Sequence, residues 1–117
     1  MIYLIDDDRS VLRGYELFLS SAKIEYKSYE NPKDFLCHFI SGSGDLIVLD
    51  LNLPEINGLD LLKRLEDDGI SIPVIVVTAY DDWSSRKTCK EFGVKAFLRK
   101  PVDGETLVDI INFSLQS

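Results

Sequence analysis

Two four-residue runs, Leu46-Ile47-Val48-Leu49 and Val74-Ile75-Val76-Val77, are apolar at every position. Successive side chains of a strand point to opposite faces. A strand apolar throughout must therefore be covered on both, as in a parallel sheet with helices on each side. Ile2-Tyr3-Leu4-Ile5, the alternating stretch from Ile24 to Tyr29, and Ala96-Phe97-Leu98 bring the expected strands to five. Helical spacing fills the intervals. Val11, Tyr15, Phe18 and Leu19 follow a helix start near Arg9, and Asn31 with Pro32 supply an N-cap and first helical position. Gly42 and Gly44 break the chain before the third strand. Leu59, Leu62 and Leu65 mark a third helix after Gly58, closed by Gly69. A fourth spans about Trp83 to Phe92 before Gly93, and Leu107, Ile110, Ile111 and Leu115 form the buried stripe of a fifth.

Strands alternating with helices in this way imply an α/β fold, a doubly wound five-stranded parallel sheet with right-handed crossovers. Among doubly wound patterns the flavodoxin-like (βα)5 arrangement, strand order 2-1-3-4-5, is the one expected; it sets strands one and three side by side. Residues 1–117 are read as one domain, a chain of ordinary domain size. A net charge of −7 argues against direct nucleic-acid binding, which needs a basic face. The absence of an apolar run of membrane-spanning length, and of a signal peptide before the first strand, predicts a cytoplasmic chain without a membrane partner. Cys37 and Cys89 lack metal or redox spacing and are expected as two buried thiols. His38, the one histidine, is expected at or near the surface of the second helix, and Trp83 is expected exposed or facing a partner.

The expected strands end on chemistry. Ile5 runs into Asp6-Asp7-Asp8, Leu49 into Asp50, Val77 into Thr78-Ala79, and Arg99 into Lys100-Pro101. Neighbouring strands of a parallel sheet meet at their carboxyl ends, where ligands bind, so these groups converge in one shallow cleft. A carboxylate there can take up a phosphoryl group if that group is positioned and its charge neutralised. Asp50 is the candidate acceptor. Magnesium, or manganese in its place, prefers hard oxygens, which Asp6, Asp7, Asp50 and the backbone carbonyl of Asn52 can offer. Thr78 and Lys100 can each reach a phosphoryl oxygen, the lysine as a mobile point charge. A cis Lys100-Pro101 bond would turn that side chain back into the cleft. Asn52 and Tyr80 border the site and are expected to set the lifetime of an acyl phosphate, the Tyr80 ring by screening it from water.

Taken in order, Ile5-Asp6-Asp7-Asp8, Leu49-Asp50-Leu51-Asn52-Leu53-Pro54 continuing to Gly58, Val77-Thr78-Ala79 and Lys100-Pro101 resemble the motifs of CheY-like receiver domains of bacterial two-component response regulators. The resemblance covers essentially the whole chain. It implies a phosphorylation-dependent signalling switch rather than an enzyme, with Asp50 accepting a phosphoryl group from a sensor histidine kinase or a histidine phosphotransfer protein. It implies magnesium held by Asp7, Asp50 and the Asn52 carbonyl, with Asp6 acting through water. It also implies that Phe97, three residues before Lys100, turns inward as Thr78 moves, relaying the change to the face of the fourth helix, fifth strand and fifth helix. Relatives use that face for targets or for a homodimer, and Trp83, Arg86, Lys87, Lys90 and Arg99 fall near it.

Two other readings are weaker. An aspartate-nucleophile phosphatase resembling the haloacid dehalogenases would carry D-x-D at the nucleophile, where this chain has Asp50-Leu51-Asn52. A flavin or nucleotide module needs a loop whose N–H groups cradle phosphate, whereas Asp6-Asp7-Asp8 would repel it.

Overall fold

A computed structural model describes residues 1–39, 46–53, 57–79 and 82–116. Five strands, β1 (Ile2–Ile5), β2 (Tyr26–Tyr29), β3 (Leu46–Leu49), β4 (Val74–Thr78) and β5 (Ala96–Arg99), alternate with α1 (Arg9–Ser21), α2 (Pro32–His38), α3 (Gly58–Asp67), α4 (Trp83–Phe92) and α5 (Gly104–Gln116). The strands form one sheet in the order β2-β1-β3-β4-β5, every pair parallel.

Alternation along the three inner strands divides the core. Tyr3, Ile5, Ile47, Leu49, Val74 and Val76 face Phe35, Leu61, Leu62, Leu65 and Cys89 of α2, α3 and α4. Ile2, Leu4, Leu46, Val48, Ile75 and Val77 face Leu12, Tyr15 and Leu19 of α1 and Leu107 and Ile111 of α5. Burying each such side chain stabilises the fold by about 1.5–3 kcal/mol, which fixes the register that brings the strand ends level.

The helix boundaries have local causes. Asp8, Asn31, Asn57 and Asp82 cap α1 to α4, each accepting from backbone N–H groups of the first turn. Pro32 sits at the start of α2, and Gly93 closes α4 in the left-handed region at φ 80°. Gly58 packs so closely on the loop leaving β3 that a Cβ there would lie 2.6 Å from the Leu51 Cα.

Four expectations need correction. The second strand begins at Tyr26, because the turn ending α1 places Lys23 at φ 59° and commits the Ile24 N–H to the Leu19 carbonyl. Cys37 is exposed and only Cys89 is buried, since short α2 turns Pro32 and Phe35 inward. Leu115 is 44% exposed, Ser114 taking the buried position that continues Leu107 and Ile111. Phe18 is 47% exposed, its ring lying against Gly104 rather than in the core. His38 is exposed, as is Trp83 at 75%. Gly42, Gly44, Pro54 and Tyr80 lie outside the described residues.

Candidate functional site

Ile5 and Leu49 are register partners, and the Asp50 N–H donates to the Ile5 carbonyl at 3.0 Å, so Asp6 and Asp50 leave the sheet side by side. Both are buried, while Asp7 is exposed at the rim. Carboxylate oxygens of Asp6, Asp7 and Asp50 lie within 4.8 Å of one another. Asp8 is turned away as the cap of α1, accepting from the N–H groups of Ser10 and Val11.

Lys100 reaches this group from the other side of the cleft. Its backbone N–H donates to the Thr78 carbonyl at 2.8 Å, and the Lys100-Pro101 bond is cis. The ammonium donates to Asp6 Oδ2 at 2.7 Å and to Asp50 Oδ2 at 3.0 Å. The remaining oxygens are held by the backbone: Asp6 Oδ1 accepts from the Asp8 N–H at 2.9 Å and Asp50 Oδ1 from the Asn52 N–H at 3.0 Å. Among the described residues no buried side-chain polar atom lacks a partner.

The electrostatics follow from that packing. Burial raises the Asp6 carboxyl above its usual range and the Asp50 charge adds to this, against the opposing pull of the Lys100 hydrogen bond. Burial alone would lower the Lys100 ammonium, but its hydrogen bonds to Asp6 and Asp50 and their charges hold it above its usual value. The lysine thus keeps its proton and its place. Three carboxylates in one cluster are a donor set of hard oxygens, which suits a small divalent cation.

Thr78, at the end of β4, is fully buried, and its Oγ1 accepts from Asn52 Nδ2 at 2.9 Å. Phe97 is half-buried against the α2–α3–α4 side of the core, with the Arg86 guanidinium 4.9 Å from its ring centroid. The structure therefore brings Asp6, Asp7, Asp50, Asn52, Thr78 and Lys100 together, with Phe97 on the neighbouring strand. Arg99, which the sequence reading set near the face of the fourth helix and fifth strand, also borders the site. It lines a cavity with Asn52 and Thr78, and the signal was available, because Arg99 stands at the end of β5 in register with Thr78 at the end of β4.

The family model of the response regulator receiver domain matches residues 2–112. The chain is 31% identical over 114 residues to the transcriptional regulatory protein TdiR of Thauera aromatica, covering 97% of this chain and 50% of that one. It is 34% identical over 110 residues to the response regulator ArlR of Staphylococcus haemolyticus, covering 91% and 48% respectively. This chain thus spans about half the length of these two relatives. In fold, it is similar to the CheY-like receiver domain protein of Methanospirillum hungatei JF-1, with a TM-score of 0.90 at 23% identity over 98% of this chain and 92% of that one.

Proposed function

We propose, from the premise that this chain belongs to the response regulator receiver domain family, that it is a phosphorylation-controlled switch whose acceptor is Asp50. The observation that carries the reading is the bridging lysine: Lys100 joins Asp6 and Asp50 inside a cluster that also holds Asp7. One carboxylate is left ready to react, and a cation stands ready to follow the charge.

In the transfer, a carboxylate oxygen of Asp50 attacks the phosphorus of a phosphohistidine. The O–P bond forms as the P–N bond breaks, and the imidazole leaves with the electron pair and takes up a proton. Asp7, Asp50 and the Asn52 carbonyl would hold a magnesium ion, or manganese in its place, with Asp6 acting through water; the ion supplies charge neutralisation for the phosphoryl group. Lys100 exchanges its contact with Asp50 Oδ2 for a phosphoryl oxygen. Thr78 turns its hydroxyl toward a second oxygen, and Phe97 rotates into the space so released, relaying the change to the α4–β5–α5 face. Asn52 and Tyr80 govern how long the acyl phosphate survives.

The phosphodonor is a sensor histidine kinase or a histidine phosphotransfer protein. A largely apolar groove of about 600 Å3 beside Lys100, lined by Val11, Gly14, Tyr15, Phe18 and Val102 among others, offers it a seat between α1 and the start of α5. Residues 1–117 act as one receiver domain within a longer cytoplasmic regulator, as the name and length of TdiR suggest. The α4–β5–α5 face passes the signal on through a target or a homodimer. Among the described residues no helix is long and apolar enough to cross a membrane.

The test is the intact mass of the protein after incubation with acetyl phosphate, with and without magnesium, beside Asp50→Asn. A magnesium-dependent gain of one phosphoryl group in the parent and none in the variant is expected. A gain that persists in Asp50→Asn would move the acceptor elsewhere.

A further inference from the structure

Beyond the acid cluster, a polar cavity of about 410 Å3 lies beside Thr78, lined by Leu51, Asn52, Asp82, Ser85 and Arg99 among others. Arg99 and Thr78 are register partners across the β4–β5 ladder. Parallel neighbours are about 4.8 Å apart and send their side chains to the same face. The guanidinium is thus rooted one strand away from a hydroxyl that borders the acceptor, and it opens on the same cavity as Asn52, whose N–H already holds Asp50 Oδ1.

The charges around this cavity are unevenly committed. Asp82, its one acid among the described residues, is engaged by its own helix: its Oδ1 accepts from the Ser85 N–H at 2.6 Å and its Oδ2 from the Ser85 hydroxyl at 3.1 Å. Arg99 forms no ion pair among the described residues. The ten-residue helix α4 begins at the same cavity, so its N-terminal partial positive charge adds to that of Arg99. Lys100 is already neutralised by two carboxylates in the resting state. A phosphoryl group on Asp50 brings a charge approaching −2. Against Asp6, Asp7 and that group, a divalent ion and Lys100 still leave about one negative charge unbalanced, and among the described residues that line this cavity the cation is Arg99.

We infer that Arg99 is a second positioning cation for the phosphorylated state, acting from this cavity through Asn52 and Thr78 on the phosphoryl oxygens. The inference rests on Asp50 as acceptor. It gives Arg99 a task different from the contact with partners suggested by its place near the α4–β5 face. Because Arg99 is exposed, its effect is modest and screened by salt.

An electrostatic role and a structural one predict opposite patterns. Arg99→Gln removes a positive charge near both a cation site and an anion site. Affinity for magnesium alone should therefore rise, and affinity for beryllofluoride, a phosphoryl analogue, at saturating magnesium should fall, each by roughly threefold at low ionic strength. Both changes should shrink in 0.5 M salt. Arg99→Lys, which keeps the charge and loses the planar fork, should restore the magnesium value and part of the beryllofluoride value. Both affinities falling together would mean damage to the fold and would overturn the inference, as would no change in either. If the parent itself takes up no beryllofluoride, the acceptor reading has failed, and this inference falls with it.

Discussion

The two edges of the sheet are built to different standards. At the β2 edge, Tyr3, Tyr29, Phe35 and Phe39 interlock, with ring centroids 5.4 Å apart for Tyr3–Phe35, 5.6 Å for Tyr29–Phe35 and 5.1 Å for Phe35–Phe39. Phe35 is completely buried among them. Neither edge strand has a buried residue, but at the β5 edge α4 buries only Cys89, where α3 buries Leu61, Leu62 and Leu65. The ring there, Phe97, is held on one side by a guanidinium rather than by other rings. Dense aromatic packing leaves a ring little room, whereas a half-buried ring against a guanidinium is less enclosed. The difference teaches where the domain is packed tightly and where it is not: the looser β5 edge is the one through which the proposed relay by Phe97 would run.

The largest effect that could break this comparison is on stability. Phe35→Ala should cost about 4 kcal/mol in denaturant unfolding, since it leaves a cavity in a packed cluster. Phe97→Ala should cost about 1.5 kcal/mol, because less apolar surface is lost from the interior. Equal losses at the two positions would mean that the edges are equally rigid. A smaller change sharpens the picture: Arg86→Gln should remove about 0.5–1 kcal/mol and leave Phe97 more mobile in aromatic NMR signals. The last is a pH effect. Burial raises the Cys89 thiol from 9.0 to about 11, so the unfolded chain ionises at a lower pH than the folded one. Its stabilising share is complete below pH 9 and is lost as pH rises to about 11. Cys89→Val should flatten the decline in thermal midpoint across that window, Tyr15, raised to about 12 by burial, leaving its own decline intact.

How much of this was legible in the sequence follows the same division. The inner strands declared themselves because burial on both faces forces every residue to be apolar, and Leu46–Leu49 lies where its run predicts. The edge strand β2 was misjudged at its start, because Ile24 is apolar for the sake of α1, whose turn it closes. Leu115 and Ser114 exchange their expected places at the end of α5, where a polar residue can be buried if it finds partners and a leucine can be left out at small cost. The acid cluster was legible because strand ends in a parallel sheet meet by topology alone. The Asn52–Thr78 hydrogen bond was not, since it depends on side-chain rotamers across a span of 26 residues. Nor was the cavity that Arg99 shares with Asn52, although its place at a strand end was.

The lysine bridge also separates two demands on the domain that are otherwise easy to merge. Two buried carboxylates side by side would strain a chain that had to fold before meeting any ion, yet here the counter-charge is covalently part of the polypeptide and arrives with the last strand. The residue that follows β5 thus supplies the acids of β1 and β3 with their counter-charge. The fold carries its own counter-charge.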